Sequence, residues 1–137
     1  MKNPRLFLGI LVLLSISSTA LSDPTLCSAT SPCFPVSIIT CQYTITSNDI
    51  IVCGGPPGPC PFRLESTVSG VECCYDWRIK KNGKQIGSGI YCNDKPINFT
   101  FNADVNDVIV IETNRDPLVS CGNPCSGSGT VVLKHDM

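Results

Sequence analysis

One Asn-Gly pair, Asn82-Gly83, lies between two segments in which large apolar residues alternate with polar ones. This arrangement is the strongest short-range signal for a β-hairpin with a two-residue type I′ turn, because both turn positions need a positive φ that asparagine and glycine tolerate. The turn makes Lys81 and Lys84 neighbours across the hairpin and fixes the register of the pairs beyond them. The sequence therefore predicts an antiparallel hairpin around which the chain is organised.

The predicted register divides the hairpin residues between two faces. Large apolar side chains share one face with Cys73 and Cys92, whereas Tyr91 lies opposite Cys74 on the polar face. Directly opposed residues have Cα atoms about 5.5 Å apart, within the range of a disulfide, so Cys73–Cys92 is the best single disulfide prediction. A bulge at a glycine of the second strand would shift the register by one residue and place Cys74 opposite Cys92 instead.

Residues 1–22 have the pattern of a secretory signal peptide. A basic start precedes an apolar run over residues 6–16, and small residues occupy both cleavage positions before Asp23. The run is shorter than the roughly 20 apolar residues that a membrane-spanning helix needs, and no later stretch approaches that length. We therefore predict an exported protein without a membrane span or a lipid anchor. It is expected to be extracellular or, in a bacterium, in the periplasm or on the cell surface.

All ten cysteines of the chain follow the predicted signal peptide. An even number of cysteines in a small exported chain is typical of a disulfide framework. We therefore expect five disulfides among Cys27, Cys33, Cys41, Cys53, Cys60, Cys73, Cys74, Cys92, Cys121 and Cys125. The complete pairing cannot be deduced from sequence, because ten cysteines allow many alternatives.

The close spacing of Cys121 and Cys125 also suits two ligands of a zinc site. Such a site would need two more soft ligands nearby and a compartment that keeps thiols reduced. A disulfide-bonded loop is the simpler interpretation of the two cysteines. We therefore predict neither a zinc site nor a cofactor.

Short β-branched or alternating segments, separated by turn residues, predict about seven strands. Besides the hairpin strands they are Val36–Thr46, Ile50–Cys53 after a turn at residues 47–49, Phe62–Val68, Ile97–Phe101, Val108–Ile111 and Val131–Leu133. Val108–Ile111 is apolar on both faces, as a central strand would be, whereas residues 23–35 are expected to form an irregular N-terminal arm. The sequence predicts a single all-β domain over residues 23–137. Its expected fold is a small disulfide-rich antiparallel β-sandwich, immunoglobulin-like or jelly-roll-like.

The net charge and the position of the only histidine argue against two classes of function, nucleic-acid binding and catalysis. Without Lys2 and Arg5 the chain carries 8 basic and 11 acidic residues, a net charge of −3, and so mild a charge does not favour a nucleic-acid partner. His135, the only histidine, lies on a polar tail near the end of the sequence, where a catalytic base would be poorly oriented. We predict no catalytic residue and a protein that is not an enzyme.

Four oxygen-bearing side chains before Val108 resemble the start of a calcium loop. They are Asn102, Asp104, Asn106 and Asp107. The glycine and the glutamate that complete such a loop are absent, and turn formation explains these residues without an ion. They are the calcium candidates of the sequence, with a turn as the simpler interpretation.

Surface chemistry is predicted at four further residues. Tyr91 is a candidate for an exposed aromatic contact, and Lys81 and Lys84 form a basic hairpin tip that suits an anionic surface. Asn98-Phe99-Thr100 matches the acceptor pattern for N-glycosylation, and strand alternation places Asn98 on the solvent side. If the source is a eukaryote, we expect a glycan at Asn98.

These features favour a secreted, non-catalytic module that binds an extracellular protein or glycan. Its binding loops are expected at Gly54–Cys60 and Asn114–Gly129, because loops on a rigid scaffold commonly carry recognition. The first alternative is a secreted effector of the toxin or protease-inhibitor type, with Pro56–Pro61 as the loop that meets a protease. The second alternative is a small secreted hydrolase.

Overall fold

The computed structural model describes residues 24–54, 59–70, 73–118, 121 and 125–136. The predicted signal peptide at residues 1–22 lies outside the described residues. Within them the chain forms eight strands and one short helix, which are β1 (Cys27–Pro32), β2 (Ile39–Thr44), α1 (Ser47–Val52), β3 (Cys60–Gly70), β4 (Tyr75–Lys81), β5 (Lys84–Tyr91), β6 (Phe99–Ala103), β7 (Val108–Arg115) and β8 (Gly127–His135).

The eight strands form two four-stranded antiparallel sheets that pack face to face. The order is β1-β8-β3-β6 in the first sheet and β2-β7-β4-β5 in the second. The pairs β1–β8, β2–β7, β3–β6 and β4–β5 form one long ribbon with the β4–β5 turn at its tip, and the pairs β3–β8 and β4–β7 roll this ribbon into two sheets. An eight-stranded ribbon rolled in this way is a jelly roll. The predicted all-β sandwich is thus confirmed, and its strand order is that of the jelly-roll alternative.

The predicted hairpin is present at the tip of this ribbon. Asn82 and Gly83 have φ angles of 53° and 83°, as a type I′ turn requires. The register follows the prediction as far as Lys80 and then shifts by one residue, so that Ile79 pairs with Gly87. A Cβ on Gly87 would lie 2.7 Å from the ring of Phe99, so this position suits a residue without a side chain. The hairpin is therefore bulged at its glycine-rich strand.

The shift changes which hairpin residues face the core. Tyr91 lies opposite Tyr75, and both rings are buried between the sheets with their centroids 5.6 Å apart. The prediction that Tyr91 is an exposed contact is therefore wrong. Its hydroxyl donates a hydrogen bond to Thr113 Oγ1 (2.7 Å), because the Thr113 hydroxyl itself donates to the carbonyl of Asp76. Burial raises the pKa of Tyr91 to about 12.

The same shift changes the disulfide of the hairpin. Cys92 is bonded to Cys74, with Cα atoms 4.3 Å apart, and Cys73 is bonded to Cys121. The predicted pair Cys73–Cys92 is therefore corrected to Cys74–Cys92, which is the pairing that a bulge implies. Cys73, freed from the hairpin, connects β4 to the β7–β8 loop.

Part of the predicted irregular arm is a strand. Residues 27–32 form β1, which pairs with β8 along its whole length. Ala29 and Ser31 are buried, whereas Ser28 and Thr30 are exposed. Because the inward side chains are small and one is polar, this alternation lacks the large apolar residues that mark a strand in sequence.

Residues 47–52 form helix α1, where the sequence predicts a turn followed by a strand. Thr46 is the N-cap, and its hydroxyl accepts a hydrogen bond from the Asp49 N–H at 3.3 Å. The Asp49 carboxylate in turn accepts from the Thr46 N–H at 2.8 Å. This reciprocal arrangement is a capping box, which satisfies backbone donors at the start of a helix. The cap outweighs the β propensity of Ile50–Val52.

Two central strands hold the core between the sheets. Val108–Ile111 lies in β7, between β2 and β4, which confirms the predicted central strand. β8 is also central, and it extends over nine residues instead of the short closing strand predicted at Val131–Leu133. The largest fully buried side chains include Phe62, Tyr75, Ile79, Tyr91, Ile109, Ile111, Val131 and Leu133.

The connections between strands lie at two opposite ends of the sandwich. The β1–β2, β3–β4, β5–β6 and β7–β8 loops are at one end, which we call the bridged end. Its described residues are 33–38, 73–74, 92–98, 116–118, 121 and 125–126. Helix α1, the β4–β5 turn and the β6–β7 loop are at the opposite end.

Candidate functional site

Three disulfides connect the four loops of the bridged end to one another. Cys33–Cys125 joins the β1–β2 loop to the β7–β8 loop, Cys73–Cys121 joins the latter to the β3–β4 loop, and Cys74–Cys92 continues to the β5–β6 loop. All four loops thus form one covalently linked unit. Disulfides also restrict a loop in the unfolded chain, which stabilises the folded arrangement.

The other two disulfides lie elsewhere. Cys27–Cys41 joins β1 to β2 and so connects the two sheets at one edge, and Cys53–Cys60 closes the segment between α1 and β3. All ten cysteines are paired. The predicted framework of five disulfides is therefore confirmed.

The bridged end exposes large apolar side chains. Phe34 is 73% exposed, and Val36 and Ile38 on the same loop are about half exposed. Leu118, on the β7–β8 loop, is 93% exposed. Contiguous exposed apolar side chains mark an interaction surface, and these four lie on two loops that the Cys33–Cys125 disulfide joins. We call these four residues the apolar surface.

The backbone beneath this surface is fixed by hydrogen bonds. The Asp116 N–H donates to the carbonyl of Cys74 (2.9 Å), and the Leu118 N–H donates to Oδ1 of Asp116 (3.0 Å). Next to Phe34, the Cys33 N–H donates to the carbonyl of Gly127 (3.1 Å). The exposed side chains are therefore presented by loops whose main chain has fixed partners.

Four sulfur atoms of the bridged end form a cluster. The Sγ atoms of Cys33, Cys73, Cys121 and Cys125 all lie within 4.8 Å of one another. Between the two disulfides, Cys73 Sγ lies 3.5 Å from Cys33 Sγ and 3.7 Å from Cys125 Sγ. Cys33 and Cys73 are buried. The sequence gives the Cys121 and Cys125 pair, but the structure adds two more soft ligands beside it.

The two loops predicted to carry binding residues lie apart in the structure. The described loop residues of Asn114–Gly129 belong to the bridged end, whereas Gly54, Pro59 and Cys60 lie at the opposite end with α1. Of the segment Pro56–Pro61, which carries the inhibitor alternative, residues 56–58 lie outside the described residues. The two predicted loops therefore lie at opposite ends of the sandwich, and a binding role for either stays a prediction.

The predicted basic tip lies at the opposite end from the apolar surface. Lys84 is exposed, but Lys81 is partly buried and its Nζ donates a hydrogen bond to the carbonyl of Asn102 (3.1 Å). Lys81 thus contacts the end of β6, beside the β6–β7 loop. A role for these lysines at an anionic surface stays a prediction.

The calcium candidates Asn102, Asp104, Asn106 and Asp107 lie in and beside this β6–β7 loop. Both carboxylate oxygens of Asp107 accept hydrogen bonds, Oδ1 from the Asn82 side-chain amide (2.9 Å) and Oδ2 from the Asp104 N–H (2.8 Å). The same two hydrogen bonds lower the pKa of Asp107. These contacts fasten the loop to the hairpin turn, so they support the interpretation of the residues as turn formers.

His135 is buried in β8, opposite Phe62, and does not lie on the polar tail that the sequence predicts. Its Nε2 lies 2.9 Å from Oδ1 of Asp49, and its ring centroid lies 5.4 Å from that of Phe62. The argument from a poorly held terminus therefore does not apply to His135. Strand pairing and a carboxylate fix its ring.

The carboxylate of Asp49 accepts hydrogen bonds from several elements. Oδ2 accepts from the Tyr43 hydroxyl (2.7 Å), the Thr46 N–H (2.8 Å) and the Thr46 hydroxyl (2.9 Å). Burial alone would raise the pKa of Asp49, but these hydrogen bonds and the one from His135 lower it. Burial and the hydrogen bond to Asp49 raise the pKa of Tyr43 to about 12. The four residues form a polar network that connects β2, α1 and β8.

An imidazole oriented by a buried carboxylate is one part of a catalytic triad. In this network Nδ1 of His135, the nitrogen that would face a nucleophile, is buried and has no hydrogen-bond partner in the part of the chain that the structure describes. The contacts of Asp49 are instead those of a helix cap and of neighbouring strands. We therefore interpret the network as a structural one.

No family model matches the chain, and no curated protein is similar to it in sequence. In the described residues no helix is long and apolar enough to cross a membrane.

A groove of about 380 Å³ lies on the outer face of the first sheet. Its lining residues are Thr25, Glu65, Ser66, Thr67, Pro96, Ile97, Thr130, Val132 and Lys134. Four of them carry hydroxyl groups, and Lys134 Nζ forms an ion pair with Glu65 Oε1 at 3.1 Å. The groove is thus more polar than the apolar surface, and it reaches the bridged end at Pro96 and Ile97.

Proposed function

We propose that the protein is a secreted, non-catalytic module that binds an extracellular protein through the apolar surface of its bridged end. The observation that carries this proposal is the exposure of Phe34 and Leu118, 73% and 93%, on loops joined by disulfides. Five disulfides suit a protein that works in an oxidising, extracellular medium.

Rigid presentation favours binding at such a surface. Phe34 and Leu118 bury little of their area within the chain, and Val36 and Ile38 bury about half of theirs. Covering the exposed apolar area with a partner adds about 25 cal/mol for each Å² removed from water. Because the loops are already cross-linked, little conformational freedom remains to be lost when a partner binds.

Substitution of the apolar surface tests this proposal. Phe34→Ser and Leu118→Ser are expected to weaken partner binding by about tenfold or more each, because each removes a contact of hot-spot size. Both side chains stand in water, so the melting temperature of the variants should stay close to that of the unchanged protein. Binding is measured as recovery of extracellular proteins on the immobilised, disulfide-bonded protein.

Ile51→Ser is the matched control for these variants. Ile51 is 60% exposed but lies on α1 at the opposite end, so its replacement should leave binding unchanged. Equal loss of binding in Ile51→Ser, or no recovery of any extracellular protein by the unchanged chain, would contradict the proposal.

A glycan is the second candidate ligand, and the polar groove favours it. Hydroxyl side chains at Thr67 and Thr130 beside apolar Ile97 offer the mixture of contacts that a sugar requires. Thr67→Val keeps the shape and removes one hydroxyl. Weaker binding of a glycan to Thr67→Val, together with unchanged binding to Leu118→Ser, would assign the ligand to the groove instead of the apolar surface.

Export is expected to change the chain covalently in two ways, by removal of the signal peptide and by glycosylation. Protein collected from the medium of a eukaryotic secretory host should begin at Asp23, after removal of the signal peptide. It should also carry a glycan at Asn98, which is exposed, and Asn98→Gln should remove the corresponding mass. Mass spectrometry of the secreted protein checks both marks, and a retained Met1 would contradict export by cleavage.

A further inference from the structure

The sulfur cluster of the bridged end suggests a second chemical state of the protein. We infer that, when the disulfides Cys33–Cys125 and Cys73–Cys121 are reduced, their four thiolates bind one Zn²⁺ ion as a tetrahedral site. Thiolate sulfur is the soft ligand that zinc prefers in structural sites, where four cysteines complete the coordination. This inference is independent of the proposed partner binding.

The distances between sulfur atoms suit such a site. With a Zn–S distance of about 2.3 Å, the sulfur atoms of a tetrahedral site lie about 3.8 Å apart. Cys73 Sγ already lies 3.5 Å from Cys33 Sγ and 3.7 Å from Cys125 Sγ, although neither pair is bonded. All four atoms lie within 4.8 Å of one another. Opening an ordinary disulfide of about 2.0 Å to the tetrahedral separation moves each sulfur by about 1 Å, which side-chain rotation can supply.

Backbone hydrogen bonds hold part of this cluster independently of the disulfides. Cys33 is held by the hydrogen bond from its N–H to the carbonyl of Gly127 (3.1 Å), and neighbouring Cys74 accepts one from the Asp116 N–H (2.9 Å). Three residues separate Cys121 from Cys125, which is within the usual spacing of two zinc ligands on one loop. Cys33 and Cys73 supply the two ligands that this loop lacks, and both are buried.

The other cysteines form no comparable group. Among the described residues, which include all ten cysteines, these four are the one cluster of three or more side chains with metal-ligating atoms near one another. Cys27–Cys41, Cys53–Cys60 and Cys74–Cys92 are separate pairs. The proposed zinc site therefore involves these four cysteines and not the remaining six.

A dithiol reductant supplies the electrons that convert the two disulfides into four thiols. Two molecules of dithiol reduce the two disulfides, which gives four protein thiols and two molecules of oxidised dithiol. Zn²⁺ then replaces the four thiol protons, which are released to solvent, and the site carries a net charge of −2. Both states connect the β1–β2, β3–β4 and β7–β8 loops. In an oxidising medium the disulfides prevail, and under reducing conditions zinc takes their place.

Cobalt and zinc titration of the reduced protein tests the inference. The protein is reduced with dithiothreitol without denaturant, freed of reductant under anaerobic conditions, and titrated with Co²⁺ and then Zn²⁺. We expect one Co²⁺ per chain with the intense visible absorption of a tetrahedral thiolate complex, and its loss as Zn²⁺ displaces the cobalt. Alkylation followed by peptide mapping should show zinc protection at Cys33, Cys73, Cys121 and Cys125.

Cysteine variants distinguish this site from unspecific metal binding by any reduced thiols of the chain. Cys33→Ser and Cys121→Ser should lose stoichiometric binding, whereas Cys53→Ser should keep it. The inference is overturned by equal binding in the reduced, urea-unfolded chain, by zinc protection that extends to the other six cysteines, or by a reduced chain that binds no stoichiometric metal. Circular dichroism during the titration supplies a readout besides absorption, because a chain that unfolds on reduction should regain β structure when zinc is added.

Discussion

Replacing Gly127 with alanine is expected to lower the free energy of unfolding by about 2–5 kcal/mol. Gly127 has a φ of +102°, which strains any residue with a side chain. A Cβ at this position would overlap the carbonyl oxygen of Ser69 and lie 2.9 Å from Cα of Gly70. Because these atoms belong to the backbone of the paired strand β3, they cannot rotate away. Urea unfolding of the disulfide-bonded protein measures the loss.

Two other glycines separate strain from overlap. Gly83 has a similar φ of +83° but open space around its missing Cβ, so Gly83→Ala should cost about 1–2 kcal/mol from strain alone. A Cβ on Gly129 would lie 2.5 Å from the ring of Tyr75, so Gly129→Ala should cost about 1–3 kcal/mol from overlap. If Gly127→Ala proves no more harmful than Gly83→Ala, backbone overlap is not important at this pair of strands.

The effect at Gly127 should extend to the bridged end. The carbonyl of Gly127 accepts the hydrogen bond from the Cys33 N–H (3.1 Å), and Cys125, two residues earlier, forms the disulfide with Cys33. A displacement of β8 at this point therefore also moves the loop that carries Phe34. The close contact between β8 and β3 at Gly127 therefore also helps to position the loop that carries Phe34.

The sequence predicts the hairpin correctly but not its full register, and the reason is a contact made elsewhere in the chain. Asn82 and Gly83 fix the turn through local conformation alone. The bulge occurs where Gly87 meets the ring of Phe99, a residue of the other sheet. Local patterns allow a bulge at a glycine without indicating whether one occurs. The burial of Tyr91 and the pairing of Cys74 with Cys92 both follow from the register shift at this bulge.

The disulfide pairing and the exposed side chains of the bridged end cannot be predicted from the sequence for a similar reason. Its disulfides join residues 92 and 48 positions apart in the chain, and only the rolling of the ribbon brings them together. Long loops rich in Gly, Ser and Pro indicate where binding residues can occur, but they do not show which side chains remain exposed. Phe34 and Leu118 carry no local signal that distinguishes them from core residues.

Helix α1 differs, because the signal for its start is present in the sequence and competes with the β propensity of the residues that follow. Thr46 and Asp49 have the spacing of a capping box, yet the β-branched residues that follow favour a strand. The burial of Asp49 depends in addition on His135, which is 86 residues away. The sequence alone therefore indicates where the helix begins, but it does not indicate the hydrogen bond between Asp49 and His135 that holds the helix against β8.

Replacing Asp49 with asparagine is expected to lower the free energy of unfolding by about 3–5 kcal/mol, since hydrogen bonds to a buried charged group are individually strong and act together. The carboxylate accepts from Tyr43, from both the backbone and side chain of Thr46, and from His135. An amide nitrogen at one of these oxygen positions would face donors. The loss is measured by urea unfolding near neutral pH, and helix α1 should become more accessible to proteolysis.

The pH dependence of this loss identifies the charge of Asp49 as its cause. Because the pKa of Asp49 is lowered in the folded protein from its ordinary value of 3.8, its contribution to stability is complete above that value and disappears as pH falls through the folded pKa. The difference between the unchanged protein and Asp49→Asn should therefore shrink below pH 3.8. Glu65→Gln is the matched control, because hydrogen bonds from Arg63 and Lys134 also lower the pKa of Glu65, but its side chain is 41% exposed. Such a surface pair contributes about 0–1 kcal/mol, so an equal loss in both variants would contradict the special role of the buried network.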